Sequence, residues 1–439
     1  MEHNSNITNT IYLDNNSTTF MPKSVIREMI AWMNKGNASS SYASGVECKE
    51  KILAVKKFIA GVCGISQDDY NIIFNSGASE GNAYILRCVV DSYYAKTKVK
   101  PHIITSAIEH KSILSCLKDL ESLERVSITY INPDKLGFIH ANNIEEKIQK
   151  NTALIVVMSA NNETGAINDV KKIGTMAHKH NIPYYCDCTQ SFGKIPLNPD
   201  IYNVDAFTLS FHKLHGPPGI GVLIVKKSFY DGFQIKPLIA GSQNDGLRGG
   251  TENIPAIAGA HQAMRTVYKN RKNKNDMLVK KKIFIIKELS KHIPCKSLSS
   301  YWEEKSSNPK YQNSIEVIFI TGEDPLNYLC NTLLLTVVKR TSPMICNSIM
   351  KNMLEKHNVI VSIGSACNTQ SKYASHVVNA MDFDIFLKKG LLRISLCDDT
   401  TYDDLKQFIV AFLMVIKACI KNTCDLPNYV DNKQLTTKK

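Results

Sequence analysis

A chain of 439 residues with 44% hydrophobic and 21% charged residues can bury a substantial core, which excludes collagen-like and wholly disordered classes. Its length implies two or three domains, or one large α/β unit with a smaller companion. The formal net charge is +13, but only eight of the 53 Lys plus Arg residues are arginine; a lysine-dominated excess spread along the chain points to solvation and away from nucleic acid as a partner.

The start, Met1 to Asn6, is polar and carries neither an apolar signal core nor an Arg-rich transit pattern. The 13 cysteines are therefore expected as mostly free thiols in a reducing, cytoplasmic setting. From about residue 20 to 265, seven short apolar runs alternate with longer amphipathic stretches. The runs are Ile72 to Phe74, His102 to Thr105, Val126 to Tyr130, Ala153 to Met158, Ile182 to Tyr185, Ala206 to Leu209 and Gly221 to Val225. Helical segments such as Lys111 to Leu123 and Val170 to His180 lie between them. This spacing predicts βαβ units and a mostly parallel sheet with helices on both faces. Ligands of such sheets sit outside the carboxyl ends of the strands.

Tyr268 to Lys282 is strongly basic with apolar Met277 and Leu278 interspersed, which predicts a long solvated helix between two domains. Beyond it, Ser314 to Ile320, Leu333 to Val338 and Leu391 to Leu396 are expected as strands, with helices at Ser348 to Glu355 and Asp403 to Ile420. The longest apolar run, Phe408 to Ile416, is too short for a membrane span and reads as a buried helix. The resulting division is a large domain at 20–265, a smaller α+β domain from 1–19 with 266–424, and a mobile tail at 425–439.

Three stretches carry chemistry. Phe74 to Asn82 joins a strand to a helix through small residues, leaving backbone N–H groups around Ala78 and Ser79 as an anion site or a plain helix cap. Asp187 ends an apolar strand, where burial of a carboxylate requires a donor or cationic partner. Cys186 and Cys188 beside it read as small core residues, because zinc takes four ligands and no second pair is near. Ser210-Phe211-His212-Lys213 closes another strand before a Gly/Pro turn. A lysine placed there, 26 residues after Asp187, suggests a Schiff base.

Taken in order, the sequence resembles a cysteine desulfurase of the NifS/IscS type, within the pyridoxal-phosphate enzymes of fold type I and class V aminotransferases. The similarity runs from Tyr12-Leu13-Asp14-Asn15 to the terminal helix. It rests on Ser76 to Glu80, Glu109-His110-Lys111, Asn161 to Gly165, Asp187 to Gln190, Ser210 to Lys213, Arg248-Gly249-Gly250-Thr251 and Gly364-Ser365-Ala366-Cys367. The implied fold is α/β, with a mostly parallel seven-stranded sheet in a large domain and a smaller α+β domain.

The resemblance implies that Lys213 holds pyridoxal 5′-phosphate as a Schiff base. Asp187 pairs with the ring nitrogen, Gln190 bonds the phenolic oxygen, and His110 stacks on the ring and assists proton transfer. Ala78, Ser79, Ser210 and His212 hold the phosphate, with Thr251 reaching it from the other subunit of a homodimer. Asn162, which also contacts the cofactor, and Arg393 bind the substrate carboxylate. Cys367 takes sulfur from L-cysteine as a persulfide, releasing alanine, and passes it to an acceptor or an iron–sulfur scaffold protein; no metal site is implied. Selenocysteine lyase and a non-catalytic desulfurase-like scaffold are the alternatives. The chain departs from the family at Asn37 to Tyr42, which lacks the usual proline and histidine, at Cys397-Asp398 in place of Gly-Arg, and in a longer 296–359 region.

Overall fold

A computed structural model describes residues 10–307, 315–321, 324, 326–339, 345–363 and 375–421. Cys367 and the expected tail at 425–439 lie outside the described residues. Within them the strands are, in chain order, β1 (Ile11–Tyr12), β2 (Tyr70–Asn75), β3 (His102–Ser106), β4 (Ser127–Ile131), β5 (Thr152–Val156), β6 (Tyr184–Asp187), β7 (Ala206–Ser210), β8 (Gly221–Lys226), β9 (Cys295–Ser297), β10 (Ile315–Phe319), β11 (Thr332–Lys339), β12 (Val359–Ile360) and β13 (Leu391–Ser395).

The seven predicted apolar runs form one sheet of seven strands in the order β2-β8-β7-β6-β5-β3-β4. It is parallel except at β8, which is antiparallel to both neighbours. The continuous apolar character of these runs follows from burial on both faces. Successive side chains alternate between two cores: Ile72, Phe74, Ile104, Ile155, Phe207 and Leu209 enter one, while Ile73, Ile103, Leu154, Val156, Ala206 and Leu223 enter the other. The first core continues through Ile318, Leu334 and Val338 onto a second sheet, ordered β13-β11-β10-β9. The opposite face of that sheet packs against the helices Arg271–Ser290 and Tyr402–Lys421.

Local chemistry sets the helix ends nearest the site. Helix Ala78–Thr97 starts after Gly77, whose φ of +147° is a conformation that side chains with a Cβ seldom adopt. His110 caps helix Lys111–Ser122 by accepting from the Ser112 backbone N–H. At the other end of the chain order, β1 pairs in parallel with β12, so residues near the N-terminus are built into the part of the fold that contains the second sheet.

Two features differ from expectation. The basic helix Arg271–Ser290 is not solvated throughout: Lys282 is 0% and Lys281 6% exposed. Each has exchanged water for a backbone carbonyl, Lys282 donating to Leu329 O and Lys281 to Asp398 O, which offsets part of the cost of burying the ammonium groups. Helices Lys23–Trp32 and Ala43–Cys63 were not among the expected elements. Cys186 and Cys188 are fully buried free thiols within the core. No described helix is long and apolar enough to cross a membrane.

Candidate active site

The carboxyl ends of β2, β3, β6 and β7 converge on a cavity of about 590 Å³, where an open parallel sheet is expected to place its ligand. Lys213, His110, Ala78, Ser79, Asn162, Asp187, Gln190, Ser210, His212 and Arg393 all line it. Thr251 does not. It is exposed and lines a separate cleft with Ser76 and Arg248, in a loop tied to helix Ala78–Thr97 by the Arg248–Glu80 ion pair at 2.9 Å. The altered segment Asn37 to Tyr42 is absent from the cavity lining; it forms its own turn, with Tyr42 Oη accepting from the Asn37 N–H at 3.1 Å.

Lys213 follows β7 in a short helical turn, Phe211–Lys213. Its amine donates to the backbone carbonyls of Asn16 at 2.7 Å and Ser17 at 2.6 Å. Burial, assisted by the Arg393 and Lys194 charges, brings it down to about 8, so a neutral, nucleophilic amine is accessible near physiological pH. His212 falls to about 4, chiefly through burial and then through Lys213. Desolvation in the cavity also lowers His110, against the opposing pull of Asp187.

Asp187 closes β6 and is 5% exposed. Its donors are Asn82 Nδ2 at 3.2 Å and the Thr189 N–H at 2.9 Å. The required partners are thus neutral hydrogen-bond donors. Asn82 was missed from sequence; its position one helical turn past Ala78, on the helix that faces β6, was the available signal. Ser210 Oγ accepts from the Ala78 N–H at 2.7 Å, joining the end of β7 to the helix N-terminus.

Arg393 comes from β13 and is 3% exposed. Its NH2 donates to Asp14 Oδ1 at 2.5 Å and to Ser17 Oγ at 2.8 Å, and its NH1 donates to the backbone carbonyl of Asn162 at 2.9 Å. Asn162 therefore meets Arg393 through its main chain. Asp14 also lines the cavity, and sequence reasoning quoted it within a motif without assigning its carboxylate. Lys351, Ser362 and Ile363 complete the side of the cavity formed by the second sheet and its helices.

A lysine amine at the end of one strand, a buried carboxylate ending the neighbouring strand and a helix N-terminus between them define a pyridoxal-phosphate-dependent enzyme of fold type I. Residues 11–305 match the Aminotransferase class-V family, and the chain belongs to that family, in its branch of NifS/IscS-type cysteine desulfurases. It is similar to cysteine desulfurase IscS of Dictyoglomus turgidum, at 32% identity over 400 residues, covering 90% of this chain and 91% of that relative. A solved NifS-like protein matches with a TM-score of 0.77 at 29% identity, covering 93% of this chain and all of that one. SspA, solved in complex with cysteine, matches with a TM-score of 0.68 at 29% identity over 89% of this chain and 99% of its own.

The family's cofactor is pyridoxal 5′-phosphate, and the residues present fit it. Gln190 Oε1 and Thr189 Oγ1 are buried polar atoms on the cavity lining with no partner in the described chain, and buried polar atoms call for one. Among the described residues the Lys213 amine meets no carboxylate, only the two carbonyls. Buried acceptor, amine, carboxylate and helix terminus thus form a set of polar groups matching a phosphorylated pyridine aldehyde.

Proposed function

We propose that the chain is a pyridoxal-phosphate-dependent L-cysteine desulfurase that supplies sulfur from a persulfide on Cys367. The observation that carries this reading is the meeting of Lys213, Asp187 and Arg393 in one cavity, on a chain whose relatives bear the name cysteine desulfurase. Lys213 would hold the cofactor, with Asp187 for its ring nitrogen and Gln190 for its phenolic oxygen. Ala78, Ser79, Ser210 and His212 would take the phosphate, joined by Thr251 of a second subunit. When bound, pyridoxal phosphate supplies an electron sink for the substrate α-carbon.

The chain's own groups do the rest. Arg393, its charge balanced by Asp14, would receive the L-cysteine carboxylate beside Asn162, a planar fork suited to that partner. His110, kept below its ordinary value by desolvation, is in its neutral form at physiological pH and able to accept or return a proton through its ring nitrogen. The Cys367 sulfur forms a new S–S bond as the substrate C–S bond breaks, leaving alanine and a persulfide with atoms and protons balanced. Cys367 follows the cavity-lining Ile363 by four residues, a covalent span of at most about 14 Å.

The exposed position of Thr251 away from its own chain's cavity supports a homodimer in which the two chains share phosphate sites. A sulfur acceptor or iron–sulfur scaffold protein is the proposed partner. A cytoplasmic location belongs to the same proposal and rests on the 11 described cysteines, all free thiols. The division at residue 265 between a cofactor-carrying domain and a smaller one is part of it as well.

The deciding experiment is alanine and sulfide release from L-cysteine by the cofactor-loaded chain, run beside Cys367→Ser and Lys213→Ala. Cys367→Ser should retain the cofactor's visible absorption and lose product; Lys213→Ala should lose both. Full alanine release by Cys367→Ser would overturn the assignment.

A further inference from the structure

Behind Lys213 lies a second, small cavity of about 60 Å³, lined by Lys213, Lys194, Asn275, Cys397 and Asp398 among others. Lys213 thus has the substrate cavity on one side and a cationic chamber on the other. Lys194 is the feature of that chamber that the chemistry above does not use. Its amine donates to the backbone carbonyl of Gln190 at 2.8 Å. Its own carbonyl accepts from Asn275 Nδ2 at 2.5 Å, and Asn275 Oδ1 in turn accepts from the Cys330 thiol at 3.4 Å. Among the described residues Lys194 forms no ion pair, unlike its neighbour Lys274, which meets Asp398 at 2.7 Å.

Lys194 and Lys213 are also joined through bonds. Gln190 Nε2 donates to Asn16 O at 3.0 Å, the same carbonyl that receives the Lys213 amine at 2.7 Å. One end of the Gln190 residue is therefore held by Lys194, and the other shares an acceptor with Lys213. A cation without a carboxylate partner, desolvated beside a second amine, acts on that amine with little screening.

Resting on the pyridoxal-phosphate reading of the site, we propose that Lys194 is a positioning residue for Lys213, its unpaired charge opposing a second charge on the Lys213 nitrogen while its hydrogen bond fixes the Gln190 segment. Among the described residues, Arg393 and Lys194 disfavour protonation of Lys213, Asp14 and Asp187 favour it, His212 and His110 are influenced by it, and His215, Arg271, Lys274, Cys397 and Asp398 share the small cavity with it. Lys194 faces the Cys330 thiol and is brought down to about 8 by burial.

The test is a pH titration of the visible band of bound pyridoxal phosphate in the full-length protein, comparing wild type with Lys194→Met, Lys194→Gln and Lys194→Arg. Both neutral variants should raise the band's midpoint by about half a pH unit, roughly threefold in the protonation constant; Lys194→Arg should restore the wild-type midpoint. Lys194→Gln keeps a donor for the Gln190 carbonyl, so its shift reports the charge and not the bond. Competitive acetylation of Lys213 in the cofactor-free full chain, read by mass spectrometry against pH, should show the same upward shift and serves for any variant that retains no cofactor. Unchanged midpoints in the neutral variants, or an equal shift in Lys194→Arg, would overturn the proposal. These readouts need no turnover, so failure of the desulfurase reading would show separately as absent alanine release by wild type.

Discussion

The guanidinium of Arg393 lies 2.5 Å from the carboxylate of Asp14, across 379 positions of sequence. Both charges are largely withdrawn from water, with side-chain exposures of 4% and 18%. Removing one partner of such a pair leaves an uncompensated buried charge, which costs far more than the pair itself contributes. Asp14→Ala should therefore destabilise the protein by about 3 kcal/mol, read from denaturant unfolding, with Asp14→Asn closer to wild type. Arg393→Lys keeps the charge and loses the fork; the KM for L-cysteine should rise about tenfold. An unaltered KM would remove Arg393 from the substrate site.

Ser210 and Ala78 tie β7 to the helix N-terminus at 2.7 Å. Ser210→Ala frees that N–H and removes a hydroxyl from the end of the cavity proposed for the phosphate. The loss of about 1 kcal/mol of hydrogen bonding should weaken pyridoxal-phosphate retention about fivefold, measured by equilibrium dialysis, with thermal stability little changed.

The Lys213 amine, at about 8, is depressed from its ordinary position near 10.4. Cofactor uptake by the cofactor-free chain, which needs the neutral amine, should accelerate as pH rises to about 8 and level off above it, as stopped-flow absorbance would show. A rate still climbing toward pH 10 would mean that Lys213 is not desolvated. The stability contribution has a definite sign: between about pH 8 and 10.4 the unfolded chain holds the proton that the folded chain has released, so this lysine's destabilising effect fades across that window as pH increases.

Glu109 is fully buried and pushed up to about 8 by desolvation, even though Ser106 Oγ, at 2.5 Å, and the Met158 N–H, at 3.0 Å, both donate to Oε1. The folded protein keeps this carboxyl protonated from about pH 4.3 to 8 while the unfolded chain ionises it, so its contribution to stability declines as pH rises through that window. Glu109→Gln removes the titration and keeps the shape. Its melting temperature relative to wild type should improve steadily between pH 5 and 8; a constant difference would show that Glu109 is ionised in the fold.

Much of the sheet was legible because strands buried on both faces must be apolar along their length. All seven runs from Ile72 to Val225 became neighbours in one sheet. The cavity-lining residues at the strand ends, Asp187, Ser210 and Lys213, were legible for the same reason, since polar groups closing apolar runs stand out. Contacts formed only by tertiary packing were not. Nothing local marks Asp14 as the partner of Arg393, Asn82 as a donor to Asp187, or Lys282 as buried against Leu329 O. The last was read as solvated because lysine is seldom enclosed, and the carbonyl that permits it lies 47 residues away.

The pairing of Ile11 with Val359 and of Asp14 with Ser395 bears on how the enzyme comes into being on the ribosome. The strand ends that bear Asp187 and Lys213 emerge halfway through translation, but Asp14 must wait for β13 before its charge partner exists. On the proposed reading, the strands that carry the amine are made before the arginine proposed for the substrate carboxylate. The groups proposed for the cofactor thus precede in synthesis the arginine proposed for the substrate, which comes with β13, the last strand among the described residues.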